Sequence, residues 1–86
     1  MNKVRIYGAE WCSYCKKAVA LAEEKGIEYE YADIDDPDQE LSEQHRNFMR
    51  EEAHRSIPQI YEWDDEGYQF KRHIGGYTEF HHLLTH

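Results

Sequence analysis

Lys3-Val4-Arg5-Ile6-Tyr7-Gly8-Ala9-Glu10-Trp11-Cys12-Ser13-Tyr14-Cys15-Lys16-Lys17 changes its period half-way along, and that change decides the fold. From Lys3 to Tyr7 the residues alternate, with Val4 and Ile6 on one face, which predicts a first strand ended by Gly8. From Ser13 to Lys25 the chain is rich in Ala, Lys, Glu and Leu, with Cys15, Val19, Ala22 and Glu23 near one another at helical spacing, and Gly26 supplies a C-terminal stop. Both cysteines therefore fall at the start of a helix. Alternation resumes from Ile27 to Ile34, with Ile27, Tyr29 and Tyr31 set against Glu28 and Glu30. Two strands joined through a helix lie parallel, so the opening segment is a β-α-β unit.

Further along, Asp36-Pro37, with Gln39 three residues after the Asp, has the pattern of a capping box with Pro at the first helical position. Leu41, His45, Phe48, Met49 and Ala53 then recur near every 3.6 residues and predict a second helix to about Glu52. Ile57-Pro58 ends any helix, because the residue before Pro is driven to extended geometry. Gln59 to Trp63, the turn Asp64-Asp65-Glu66-Gly67 and Tyr68 to Ile74 predict a β-hairpin, which Gly75-Gly76 breaks. Thr78 is placed to cap a short last helix with Tyr77, Phe80, Leu83 and Leu84 facing inward. The expected order is β-α-β-α-β-β-α in a single domain over residues 1–86, without linker or repeat.

With 86 residues the chain has room for one domain. A domain of this size buries only about 60 to 65% of its unfolded surface, which leaves no space for a large internal cofactor cavity. The net charge of −8 argues against nucleic acid, whose phosphates need a basic stripe, and against an anionic membrane surface. No apolar run approaches the roughly 18 residues of a membrane helix, and Met1-Asn2-Lys3-Val4-Arg5 leads into alternating residues with no signal-peptide core, so the expected compartment is the cytoplasm. The acidity concentrates between Glu23 and Glu43, away from the motif residues, where it is expected to serve solubility, with an acidic docking face for a basic partner as the alternative.

Two cysteines three apart close too short a loop to stabilise a secreted fold, so their use is expected to be chemical. Residues at this spacing share a helix face, which lets the sulfurs approach bonding distance while only Cys12, at the helix end, reaches solvent. That asymmetry separates an attacking thiol from a resolving one. The unpaired N–H groups of the helix start, with Lys16 and Lys17 within a turn, favour thiolate at Cys12, and Glu10 opposes them. A more acidic thiol gains little in attack, since nucleophilicity falls as ionisation rises, but it leaves a mixed disulfide faster. Two blander readings compete. The pair is half of a zinc site completed by two of His81, His82 and His86, although no second Cys-x-x-Cys is offered, or the thiols are buried and inert.

Three motifs in order resemble the small dithiol glutaredoxins over the whole chain. They are Cys12-Ser13-Tyr14-Cys15 after the first strand, Ser56-Ile57-Pro58-Gln59-Ile60 before the hairpin, and His73-Ile74-Gly75-Gly76-Tyr77-Thr78-Glu79-Phe80 closing it. The resemblance implies a thioredoxin-like α/β fold, a four-stranded mixed sheet flanked by three helices, with helices on both faces. It implies a cis Pro58 opposite Cys12, with the Ile57 main chain free to pair with an extended peptide, and glutathione is such a peptide. By the same resemblance the main chain around Thr78, including Gly76 and Tyr77, and the Glu79 carboxylate hold the γ-glutamyl end. N–H groups at a helix start suit its carboxylate and Glu79 suits its ammonium. Tyr14 would flank the sulfur. Without the resemblance, Pro58 is only a helix stop, Thr78 and Glu79 only cap and charge a helix, and Tyr14 is a surface aromatic.

The activity so implied is that of a glutathione-dependent thiol-disulfide oxidoreductase acting as a monomer. Cys12 attacks a protein–glutathione mixed disulfide and a second glutathione clears the adduct, while Cys15 opens the route through an internal disulfide to protein disulfides such as that of ribonucleotide reductase. Glutathione is then a co-substrate; no permanently bound cofactor and no metal is expected. The chain departs from the family where Ser13 replaces a common Pro, and members lacking that Pro sometimes hold a [2Fe–2S] cluster between two subunits. It departs again at Gly8-Ala9-Glu10, which lacks a Lys or Arg for the glycine carboxylate of glutathione; Arg46, Arg50 or Arg55 could substitute. Ala9-Glu10-Trp11-Cys12 also echoes thioredoxin, which leaves a redoxin recharged by thioredoxin reductase as the second reading.

Overall fold

A computed structural model of the chain describes residues 3–36, 40–64 and 69–85. Its elements are β1 (Val4–Gly8), α1 (Ser13–Glu24), β2 (Tyr29–Asp33), α2 (Glu40–Glu51), β3 (Gln59–Asp64), β4 (Gln69–Gly75) and α3 (Tyr77–Thr85), in the expected order. The four strands form one mixed sheet in the order β2-β1-β3-β4. β1 runs parallel to β2, with Val4 opposite Tyr29 and Gly8 opposite Asp33, and antiparallel to β3, with Ile6 opposite Ile60. β4 completes an antiparallel hairpin. Residues 37–39 of the expected capping box and 65–68 of the hairpin, including Tyr68, lie outside the described residues.

Alternation along β1 feeds two cores rather than one. Val4 and Ile6 pack with Ala18, Leu21, Ala22, Ile60 and Phe80 beneath α1 and α3. Tyr7 goes to the opposite face with Ala32, Met49 and Tyr61, where Phe48 of α2 and Phe70 join it. The Tyr7 and Phe48 rings stack at 4.8 Å, and Tyr61 meets Phe70 at 4.6 Å. Arg5 shares this second face. Its guanidinium lies 4.1 Å from the Trp63 ring centre and 2.8 Å from the Glu30 carboxylate.

Several expectations are corrected in detail. β2 begins at Tyr29 rather than Ile27, because the Ile27 N–H is drawn back to the Ala22 carbonyl at 2.8 Å. With Gly26 at φ +68 and its N–H on the Glu23 carbonyl, that bond makes a Schellman stop for α1. The buried stripe of α1 is Cys15, Ala18, Leu21 and Ala22, and Glu23 stays in water. In α2 the expected His45, Phe48 and Met49 do face the Tyr7 core, but in the first turn Ser42 is buried and Leu41 is exposed. Ala53 is not on that face at all. It sits past the helix end at φ 58, with its N–H on the Arg50 carbonyl and the His54 N–H on the Met49 carbonyl, a second Schellman stop with Ala where Gly is usual.

Candidate active site

β1 ends at Gly8, and a turn closed by the Cys12 N–H on the Ala9 carbonyl at 3.1 Å delivers Cys12 to the start of α1. Cys12 is itself the N-cap residue, extended at φ −91 and ψ 113, and its Sγ accepts the Cys15 backbone N–H at 3.2 Å. A sulfur thus occupies the place that a Ser or Asp oxygen usually takes at a helix start. The Cys12 thiol also faces the Ile57 carbonyl at 3.8 Å. Because the sulfur is folded back between helix start and Ile57, Cys12 keeps only 9% of its surface, less than the solvent access expected of it, against none for Cys15. Both thiols are free.

The second sulfur is enclosed by the strand that precedes it. A Cβ placed on Gly8 would lie 2.7 Å from the Cys15 Sγ and 2.9 Å from the Tyr31 hydroxyl, so only glycine lets β1 pass this close. Burial pushes the Cys15 thiol up to about 12, and its hydrogen bond with Cys12 adds to the rise, while the Ala9 main chain works against it. The Tyr31 hydroxyl is raised as well, first by burial and then by Cys15 beside it.

The Ile57-Pro58 peptide bond is cis, and a hollow of about 170 Å³ opens beside it. Tyr14, Ile57, Pro58, Gly76, Tyr77, Thr78 and Glu79, the seven residues singled out with the cysteines, all line this hollow, and Ser56 joins them. The Tyr14 and Tyr77 rings stand 6.0 Å apart, and the Lys17 Nζ lies 4.9 Å from the Tyr14 ring centre. Thr78 does not cap α3. Gly76 does, its carbonyl accepting the Phe80 N–H at 3.0 Å and its N–H donating to the Glu79 Oε1 at 2.8 Å, the return arm of a capping box. Glu79 reaches back across the first turn, and Thr78 is left inside it.

A family model described as glutaredoxin matches residues 4–66. The chain belongs to the glutaredoxin family. A protein of Synechocystis sp. named probable glutaredoxin is 36% identical over 94% of this chain and 81% of its own. Among solved structures, a glutaredoxin of Brucella melitensis superposes with a TM-score of 0.66 at 28% identity, covering 96% of this chain and 78% of its own. A buckwheat glutaredoxin solved as its glutathione complex shares the fold, with a TM-score of 0.64 at 18% identity over 88% of this chain and 62% of its own. The activity of this glutaredoxin is thiol-disulfide exchange: a thiol at a helix start, a second thiol one turn on and a hollow bordered by Ile57, whose carbonyl the first thiol faces, are the parts that chemistry needs.

Behind the hollow lies support that the sequence did not disclose. Gln59 is buried, its Nε2 donating to the Ser56 carbonyl at 3.0 Å and approaching the Ser56 hydroxyl at 3.3 Å, while its Oε1 meets His73 Nε2 at 2.7 Å. Gln59 thus ties the loop that carries Ile57 and Pro58 to β4. The only signal was its place directly after Pro58. Arg46, Arg50 and Arg55 do not enter the hollow; they line a separate cavity, described below. Among the described residues no group of three or more His, Cys, Asp or Glu side chains could hold a metal ion, and His86 of the zinc reading lies outside them. No helix is long and apolar enough to cross a membrane among those residues.

Proposed function

We propose that this glutaredoxin exchanges Cys12 with glutathione seated in the hollow between Tyr14, Ile57, Pro58 and α3. The supporting observation is that one small hollow is lined by Ile57, whose carbonyl faces the Cys12 sulfur at 3.8 Å, by the N-terminal turn of α3 and by Glu79. These suit, in turn, the peptide backbone, the γ-glutamyl carboxylate and the γ-glutamyl ammonium of the tripeptide.

In the reaction, the Cys12 thiolate attacks the glutathione sulfur of a protein–glutathione disulfide. The bond from Cys12 to glutathione forms, the bond from glutathione to the protein breaks, and the protein leaves as a thiolate that takes up a proton. A second glutathione thiolate then attacks the adduct, releasing oxidised glutathione and restoring Cys12. With a protein disulfide, Cys15 instead attacks the Cys12 mixed disulfide, giving an internal disulfide that two glutathiones reduce. Sustained NADPH oxidation with a glutathionylated peptide, glutathione and glutathione reductase tests this reading. Cys12→Ser abolishes it. Recycling by thioredoxin reductase alone, with no turnover on glutathione, would overturn it in favour of a redoxin of the other type.

A further inference from the structure

A second, larger cavity of about 560 Å³ shares Ser56 and Ile57 with the glutathione hollow as a common wall. Its character is unlike the rest of the surface. The chain carries a net charge of −8, yet Arg46, Arg50 and Arg55 converge here and, among the described residues, no Asp or Glu lines the cavity. Arg46 is fixed by donating to the Ile34 carbonyl at 2.8 Å, and Arg50 makes only a long contact to Asn47 at 3.4 Å. Trp11 forms one side, 71% exposed, its indole N–H held by the Asp35 carboxylate at 2.7 Å. Ile34, Met49 and Ile57 add aliphatic lining.

We propose that this cavity docks an acidic segment, carrying carboxylates and one apolar side chain, of the protein whose disulfide is exchanged. The inference rests on the glutathione reading above and extends it to the other half of the mixed disulfide. In thiol-disulfide exchange the attacking, central and leaving sulfurs lie close to a line, so glutathione and the departing protein cannot occupy the same hollow. Ile57, whose carbonyl faces the Cys12 sulfur at 3.8 Å, borders both. An arginine cluster with no carboxylate partner among the described residues draws a segment of opposite charge. The fixed Trp11 ring offers a face for an apolar side chain.

The test compares Arg50→Glu and Arg55→Glu with the parent protein on three glutathionylated peptides, acidic, neutral and basic, at two ionic strengths. The charge reversals raise KM for the acidic peptide by about tenfold, leave the neutral peptide and the KM for glutathione unchanged, and lose their effect at high salt. Arg→Lys at the same positions restores most of the affinity. In parallel, a thiol-free Glu-rich peptide with one Leu is titrated by tryptophan fluorescence; it binds the parent and not the reversed variants. An equal loss on all three peptides, a raised KM for glutathione, or acidic-peptide binding insensitive to the reversals overturns the docking assignment. Arginine-dependent peptide binding without any glutathione-driven turnover overturns the proposed function and leaves the docking surface standing.

Discussion

Glu79 Oε1 accepts the Gly76 backbone N–H at 2.8 Å, so a side chain of the proposed glutathione hollow is also the clasp of the helix that builds it. The two roles separate by substitution. Glu79→Ala loses the clasp and costs about 1 kcal/mol in urea unfolding. Glu79→Gln keeps an oxygen acceptor for Gly76 and unfolds close to the parent, but it has no charge to offer an ammonium. Both raise KM for glutathione by about fivefold, the effect of an exposed ion pair worth about 1 kcal/mol. A Gln variant with parental KM would show that Glu79 serves α3 alone.

Cys15→Ser spares deglutathionylation and abolishes reduction of protein disulfides. Burial holds the Cys15 thiol protonated well above its usual range, so closure of the internal disulfide in the parent accelerates steadily from pH 7 to 9 without a plateau. The same shift links to stability. A thiol raised in the folded state contributes stability that is complete below the unfolded pKa of about 8.5 and is lost as pH climbs toward the folded value. Reduced parent protein therefore weakens between about pH 8.5 and 12 more than Cys15→Ser does, as urea midpoints across that window will show. The Tyr61 hydroxyl, raised by burial, weakens both proteins alike, whereas the half-buried Tyr31, raised first by burial, owes part of its rise to Cys15 and adds to the difference between them.

Periodicity and turn chemistry made the element order legible, whereas the hollow was legible through the resemblance of three ordered motifs to the glutaredoxins, since Ile57-Pro58 and Gly76 to Glu79 by themselves read only as a helix stop and a helix start. The failures are local. Thr78 has the usual cap chemistry, yet Gly76 takes the position because a Glu three residues on can reach back to its N–H. Alternation puts Val4 and Ile6 on one face of β1 and leaves Tyr7 on the other, and only the packing of α2 makes that face a core. Gln59 carries no periodic signal, since its role is a pair of hydrogen bonds to residues brought together by the fold.

Ala53 carries a left-handed φ of 58 at the stop of α2, where a Cβ crowds the backbone. Gly avoids that crowding but adds freedom to the unfolded chain. The first effect is the larger at a Schellman position, so Ala53→Gly raises stability by about 0.5 to 1 kcal/mol, seen as a higher urea midpoint at unchanged slope. Because Ala53 lies outside both cavities, turnover stays at the parental value.

Gly8 is the position where strand and resolving thiol compete for space. A methyl there meets the Cys15 Sγ at 2.7 Å and the Tyr31 hydroxyl at 2.9 Å, and Cys15, anchored in α1 with no exposed surface, has little room to move. Gly8→Ala therefore costs about 1 to 3 kcal/mol. Displacing that sulfur slows the step in which Cys15 attacks, so reduction of protein disulfides falls further than deglutathionylation. Part of the cost belongs to the contact itself. Combining Gly8→Ala with Cys15→Ala removes the nearest atom and recovers stability, giving a coupling of about 1 kcal/mol in a double-mutant cycle. Strictly additive losses would mean that the methyl disturbs the β1 backbone rather than the sulfur.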